Sequence, residues 1–430
     1  MNEPAPRDAD ASPWSELFTT DLAQADAPTH ALIGRQRLEN AEAVNLVASE
    51  SYCPRATLQA EASVLVNKNA TGYPPRTAFA GGEVIDAIER LAVQRARALF
   101  GAEHANVQAL SSTVANVAVM RALLQPGDRV LAFDRAAGGH GSHGSARHVS
   151  GQDYRFDTFG VRADDGLVDY DEALRKALAL RPRMIVAGSS SYPRRIDFAR
   201  LREIAARVDA MLFADVAHVS GLIVAGEHPN PTPYCDVVTT STHKTLCGPR
   251  TGGLILCLAE HAERIDAALA PGLQAAPGAH IIAARAVLFD LVSREPFRQL
   301  MREVVRQAQR LARGLSQAGL RLYAGGTDTH MVVVDLRDTA WREAELNDYL
   351  ARHRLVANTA TLPRRPADRC ALGLRLGSTP MAIRALGTPG RDEVSASLAT
   401  LIGRGPGAAP DPAIAARMRE LALAHPIPFG

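Results

Sequence analysis

The sequence predicts an α/β fold, a mainly parallel sheet between helices in a large domain followed by a smaller C-terminal α/β domain. Three observations carry this. Short apolar runs recur at "RVLAFD" (129–134), "RMIVAGSS" (183–190), "MLFADVAHV" (211–219), "DVVTTSTH" (236–243) and "GGLILCL" (252–258). Amphipathic stretches such as "DYDEALRKALAL" and "FARLREIAARV" separate several of them, which implies crossover connections and helices on both faces. A length of 430 residues exceeds what one hydrophobic core usually serves. Near 290 the pattern changes to a long charged helix, "REPFRQLMREVVRQAQRLARGLSQAG", and then to a strand-like "HMVVVDL".

In chain order, residues 1–45 read as a tail and a helical arm, 46–295 as the large ligand-binding domain and 296–430 as the small domain. The first 13 or so residues are polar and rich in Pro and Ala, a composition that stays disordered. From about 14 the pattern is helical, interrupted near "DAPTH", like an arm that packs on something else. The stretch "GGEVIDAIERLAVQRARALFGAE" predicts one long amphipathic helix ending before Gly101.

A net charge of +2 gives no case for nucleic acid or an anionic membrane as partner. Five cysteines, odd in number and without a CxxC pair, fit a reducing cytoplasm rather than a disulfide framework or a zinc site. No apolar leader and no span-length stretch is visible, so a cytoplasmic location is expected.

Ligands of such sheets collect at the carboxyl ends of the strands. Asp215, His218, His243 and Lys244 all follow strand runs. No GxGxxG or GxxxxGK[ST] motif is present, and "AAGGHGSHGS" has neither spacing. Its histidines, His140 and His143, with His148 just beyond, lack a metal spacing with carboxylate support, so no metal is expected. Ser111, Ser112 and Thr113 precede a helical pattern, where they serve either as an N-cap or as hydroxyls for a phosphate. A lysine that condenses with an aldehyde, an aspartate that keeps a pyridine nitrogen protonated and a phosphate-binding helix start together describe pyridoxal 5'-phosphate chemistry. A plain buried Asp–Lys ion pair is the competing reading, which the combination disfavours.

The stretches "NLVASES", "NKNATGYPPR", "GGHGSHGS", "FADVAHVSGLIVAG", "VVTTSTHKTLCGPRTGG", "GGTDTH" and "GLRLGSTP" resemble the serine hydroxymethyltransferase family of fold-type I pyridoxal-phosphate enzymes, from about residue 45 onward. The resemblance implies Lys244 as the Schiff-base lysine, Asp215 as partner of the pyridine nitrogen and His218 beside the cofactor phenolate and substrate. It implies Ser111, Ser112 and Thr113 in a phosphate cup, His243 and Ser190 near the cofactor, Arg375 on the substrate carboxylate and Ser49 in the same pocket. It also implies homodimers or homotetramers with shared active sites, the segment 67–82 reaching into a neighbour.

Departures from the family pattern concentrate at reactive positions. Asn69, Thr71, Ala78 and Phe79 stand where the family usually shows Tyr, Glu and a Tyr pair. Thr71 cannot act as an acid or base near neutral pH. Ala137 stands at a ring-stacking histidine, which would leave space over the cofactor. Ala360 stands at a pterin-contacting asparagine, and Ala275 and Ala276 replace a glycine pair. Three functions follow: folate-independent aldolase or transaldolase chemistry on a β-hydroxy-α-amino acid or glycine with an aldehyde partner; serine hydroxymethyltransferase activity; or a non-catalytic cofactor-binding regulator. Retention of Arg375 and Ser49 speaks against the third.

Overall fold

Strands covered on both faces are apolar along their length. Met184–Gly188, Val237–Ser241 and Gly253–Cys257 are buried at every position, and Arg129–Phe133 and Met211–Asp215 at all but the first. The computed structural model describes residues 12, 14–76 and 80–428. Ala78, Phe79 and all but Ser12 of the polar tail lie outside the described residues.

Together with two edge strands, these runs form a seven-stranded sheet. Its order is His104–Asn106, Gly253–Cys257, Val237–Ser241, Met211–Asp215, Met184–Gly188, Arg129–Phe133, Arg155–Phe159. Neighbours are parallel except the two pairs made by Gly253–Cys257. That strand follows Val237–Ser241 with no helix between them, so the chain turns back antiparallel instead of crossing over.

Alternation along each strand feeds two cores. Leu131, Phe133, Ile185 and Leu212 pack with Phe100, Ala173, Leu201 and Phe289 on one face. Val130, Ala132, Met184 and Phe213 pack with Ala115, Val119, Ile265 and Leu269 on the other. The carboxyl ends of the parallel strands are thereby held at one edge of the sheet.

The second module is a three-stranded antiparallel sheet, ordered Asn358–Thr361, Leu372–Gly377, Met331–Asp335. The division expected at 45/46 and 295/296 is not where the cores divide. Val44 and Leu46 belong to the small-module core, and Val44–Asn45 pairs with Leu355–Val356. The helix Glu295–Gln317 serves both modules: Phe297, Met301 and Val304 pack in the large core, Ala308, Leu311 and Leu315 in the small one.

In the arm, the helical pattern is interrupted at "DAPTH" as expected: Leu22–Ala25 ends there, Asp26 is non-helical and a second helix starts at Ala27. Asp26 caps Ala27–Glu42 by accepting from the Thr29 N–H (3.0 Å), with Pro28 in the first turn. The arm helices bury no residue, leaving Leu17, Phe18, Leu32, Ile33 and Leu38 exposed. No helix among the described residues is long and apolar enough to cross a membrane.

Candidate active site

Asp215 is the last residue of its strand, in register with Gly188 on one side and Thr239 on the other. The segments that leave those neighbours, Ser189–Ser190 and Thr242–Lys244, therefore start at the same edge. The approach is close enough that a Cβ at Gly188 would collide with the Asp215 carbonyl.

The Asp215 carboxylate is almost fully hydrogen-bonded. Asn116 Nδ2 donates to Oδ2 (2.7 Å), His143 Nε2 lies 3.1 Å from the same oxygen, and the Ala217 N–H donates to Oδ1 (3.1 Å). Each carboxylate oxygen accepts about two hydrogen bonds, so one acceptor position on Oδ1 stays open. Asn116 is itself completed by the Ser142 and Thr239 hydroxyls, at 2.8 Å and 2.6 Å. Burial alone would raise the Asp215 pKa. The His143 hydrogen bond and the nearby His143, His140 and Lys244 charges outweigh it and hold the carboxyl well below the usual range.

Lys244 stands in the field of Asp215, Arg375 and Arg250. Desolvation brings its amine down to about 8, with Asp215 opposing the drop and the two arginines adding to it. A substantial uncharged fraction near neutral pH is what condensation with an aldehyde requires. His140 is lowered by burial to about 4, with Asp215 opposing the drop and His143, Lys244 and His148 adding to it. Its Nδ1 accepts from the Ser142 N–H (3.2 Å) and lies 2.7 Å from the Ser142 hydroxyl, so the proton of the neutral ring sits on Nε2.

The expectation that these histidines lack a carboxylate is corrected here. Ligand-type atoms of His140, His143 and Asp215 lie within 4.8 Å of one another. The carboxylate arrives from 72 residues beyond His143, where local spacing gives no hint of it. His143 Nε2 and Asp215 already satisfy each other, and His148 turns away to cap Val149–Asp153.

At the opposite side His218 and His330 stack, centroids 5.6 Å apart and planes 22° apart. His330 Nε2 donates to the Ala48 carbonyl (3.1 Å) and lies 3.4 Å from His218 Nδ1. With the His330 Nε2 proton directed at the carbonyl, His218 Nδ1 cannot donate to that nitrogen, so His218 keeps its own proton on Nε2. Burial holds both rings neutral, His330 at about 3 and His218 well below its ordinary value. Ala48 precedes Ser49 in a tight turn that packs on Gly377, where a Cβ would strike the Ala48 backbone.

Arg375, two residues before Gly377, donates to the Ser190 carbonyl and, from Nε, to Asn358 Oδ1 (3.4 Å). Burial lowers it to about 10, and no carboxylate among the described residues offsets that burial. A guanidinium so placed is short of an anion. Over residues 22–398 the sequence matches the family model described as serine hydroxymethyltransferase.

The chain belongs to the serine hydroxymethyltransferase family. Enzymes of that family are fold-type I transferases that use pyridoxal 5'-phosphate for chemistry at the Cα–Cβ bond of amino acids. The residues here fit that cofactor. Asp215 offers one open acceptor to a ring N–H, and Lys244 offers a partly uncharged amine. The helix Ser112–Leu123 begins beside Gly253, where a Cβ would collide with the Ser111 carbonyl. Ser111 uses its hydroxyl as the cap, accepting from the Val114 N–H (3.1 Å), whereas Ser112 and Thr113 lie in the first turn. Ser190 meets Arg375 through its carbonyl. His243 has a buried Nδ1 with no partner among the described residues, and burial lowers the ring to about 4. Ser51 donates to the His243 carbonyl (3.0 Å), tying the Ser49 segment to the lysine loop.

For a member of the serine hydroxymethyltransferase family, the altered positions sort unevenly. Ala137 is buried in the large core, its carbonyl accepting from the Tyr323 hydroxyl (3.3 Å). The histidine facing Asp215 and Lys244 is His140, three residues on. Asn358, not Ala360, carries the side chain that reaches Arg375. Asn69, Thr71, Ala275 and Ala276 are exposed in the single chain. Asn116, His143, His330 and Asn358 are the site residues that sequence reasoning missed.

Proposed function

We propose that this chain uses pyridoxal 5'-phosphate to break or form the Cα–Cβ bond of a β-hydroxy-α-amino acid, with an aldehyde as the second partner and without tetrahydrofolate. The observation that carries the folate-independent reading is Thr71, a hydroxyl where the family places a carboxylic acid. When bound, the cofactor supplies the electron sink that accepts the bonding pair left on Cα.

The chain's own residues do the rest. Arg375 binds the substrate carboxylate through a two-pronged contact, with Ser49 beside it. Asp215 holds a proton at the ring nitrogen through its open Oδ1. His218 donates from Nε2 towards the phenolate and substrate side, and His140 covers a ring face. Ser112 and Thr113, with the helix N–H groups, hold the phosphate, beside His243 and Ser190. Lys244 would hold the cofactor through its amine and, once free, would take the β-hydroxyl proton as Cα–Cβ breaks and the aldehyde forms. A base with a pKa of about 8 suits that transfer.

The exposed apolar arm supports a homodimer or homotetramer; that segment 67–82 serves a neighbour's site rests on the family resemblance alone. The second reading, serine hydroxymethyltransferase activity itself, is favoured by the length of the family match. Cleavage of serine, threonine and larger β-hydroxy-amino acids, with and without tetrahydrofolate, decides between them. Aldehyde release unaffected by folate supports the proposal. Strong folate stimulation of serine cleavage with none on the larger substrates establishes the second reading instead.

A further inference from the structure

Arg285, on the helix Ala279–Val292, is 1% exposed and has no carboxylate in contact among the described residues. Its guanidinium donates to three backbone carbonyls: Val107, Ala109 (2.8 Å) and Thr251 (3.1 Å). The one acid that acts on it, Glu89, is already engaged by Arg76 and by Gln108 (2.8 Å). Burial lowers Arg285 to about 10, which leaves it charged at neutral pH. A buried cation without an anion is a costly arrangement that carbonyl dipoles offset only in part.

The position of those carbonyls suggests what completes it. Ala109 lies two residues before Ser111, and its oxygen also accepts the Gly253 N–H (2.9 Å). Thr251 belongs to the loop returning from Lys244. Arg285 therefore ties together the two backbone segments that flank the start of Ser112–Leu123, and Gln274 reinforces the first by donating to the Gln108 carbonyl (2.9 Å). Nothing in the chemistry proposed above uses this arginine.

We infer that Arg285 is a positioning residue for the phosphate subsite and the internal counter-charge of the phosphate it receives, acting through the backbone it grips rather than by touching the ligand. The inference rests on the reading that the helix start at Ser111–Thr113 takes the cofactor phosphate. A phosphate dianion there supplies the negative charge that Arg285 lacks, and the rigid carbonyl grip keeps the N–H groups of the helix start aimed at it.

The test compares pyridoxal 5'-phosphate with pyridoxal, which keeps the aldehyde and lacks the phosphate. Both are titrated into apo-protein by visible absorbance in the native chain, Arg285→Gln and Arg285→Lys. The expected result for Arg285→Gln is binding of the phosphorylated form weakened about tenfold or more, with pyridoxal changed less than about threefold. Arg285→Lys, which keeps the charge, retains most of the preference for phosphate. Inorganic phosphate should raise the melting temperature of native apo-protein and of the Lys variant more than that of the Gln variant. Equal weakening of both ligands in either variant, or an unchanged preference in Arg285→Gln, overturns the inference. Should Arg285→Gln not fold, loss of the preference in Arg285→Lys overturns it, and retention together with the phosphate-induced shift supports it. A native protein that binds both ligands equally refutes the phosphate-subsite reading itself, a separate failure.

Discussion

The two ends of the candidate site are built in different ways. Around Asp215, a strand end, a helix and the His140–His143 loop contribute partners, and the carboxylate has one acceptor position left. Around Thr71, the chain is exposed, and among the described residues its hydroxyl has only a long contact to Asn69 (3.4 Å). One region is thus tied into buried hydrogen bonds from several elements, whereas the other is exposed in the single chain.

That contrast can be broken most directly at Lys244. Lys244→Ala should abolish the visible band of lysine-bound cofactor and lower turnover by about a thousandfold or more; a persisting band would remove the basis for both ends. Next in size, Arg375→Lys should raise KM about fiftyfold through loss of the two-pronged contact, with cofactor affinity unmoved when measured by absorbance titration. Asn116→Ala should do the reverse, weakening cofactor binding about tenfold while leaving substrate KM nearly constant.

The pH profile sharpens the contrast further. Because burial lowers Lys244 to about 8, the rate of cofactor attachment should climb about fivefold from pH 7 to 8 and level off above it. A stopped-flow profile that stays flat across that range would contradict the assigned amine. The smallest effect belongs to the open end. Thr71→Glu should leave cofactor affinity within about twofold, since Thr71 makes no contact with Asp215 or Lys244, and is tested by whether tetrahydrofolate then begins to stimulate serine cleavage.

Strand runs, the helix ending at Gly101 and the placement of Asp215 and Lys244 at one edge were legible because each depends on local apolar patterning. The reversal of Gly253–Cys257 follows from the missing helix before it, a signal present in the sequence and easily read past. Asn116 was illegible: in the middle of a helix it resembles any polar residue, and only folding brings it to a carboxylate 99 residues away. His330 lay within the quoted "GGTDTH", yet its effect on the His218 proton depends on a carbonyl 282 residues distant.

The helix Glu295–Gln317 lends its first half to one core and its second half to the other. Neither module can therefore melt while leaving the other with an intact interior. Heat or denaturant should meet a single unit, with one calorimetric transition where two modules would otherwise suggest two.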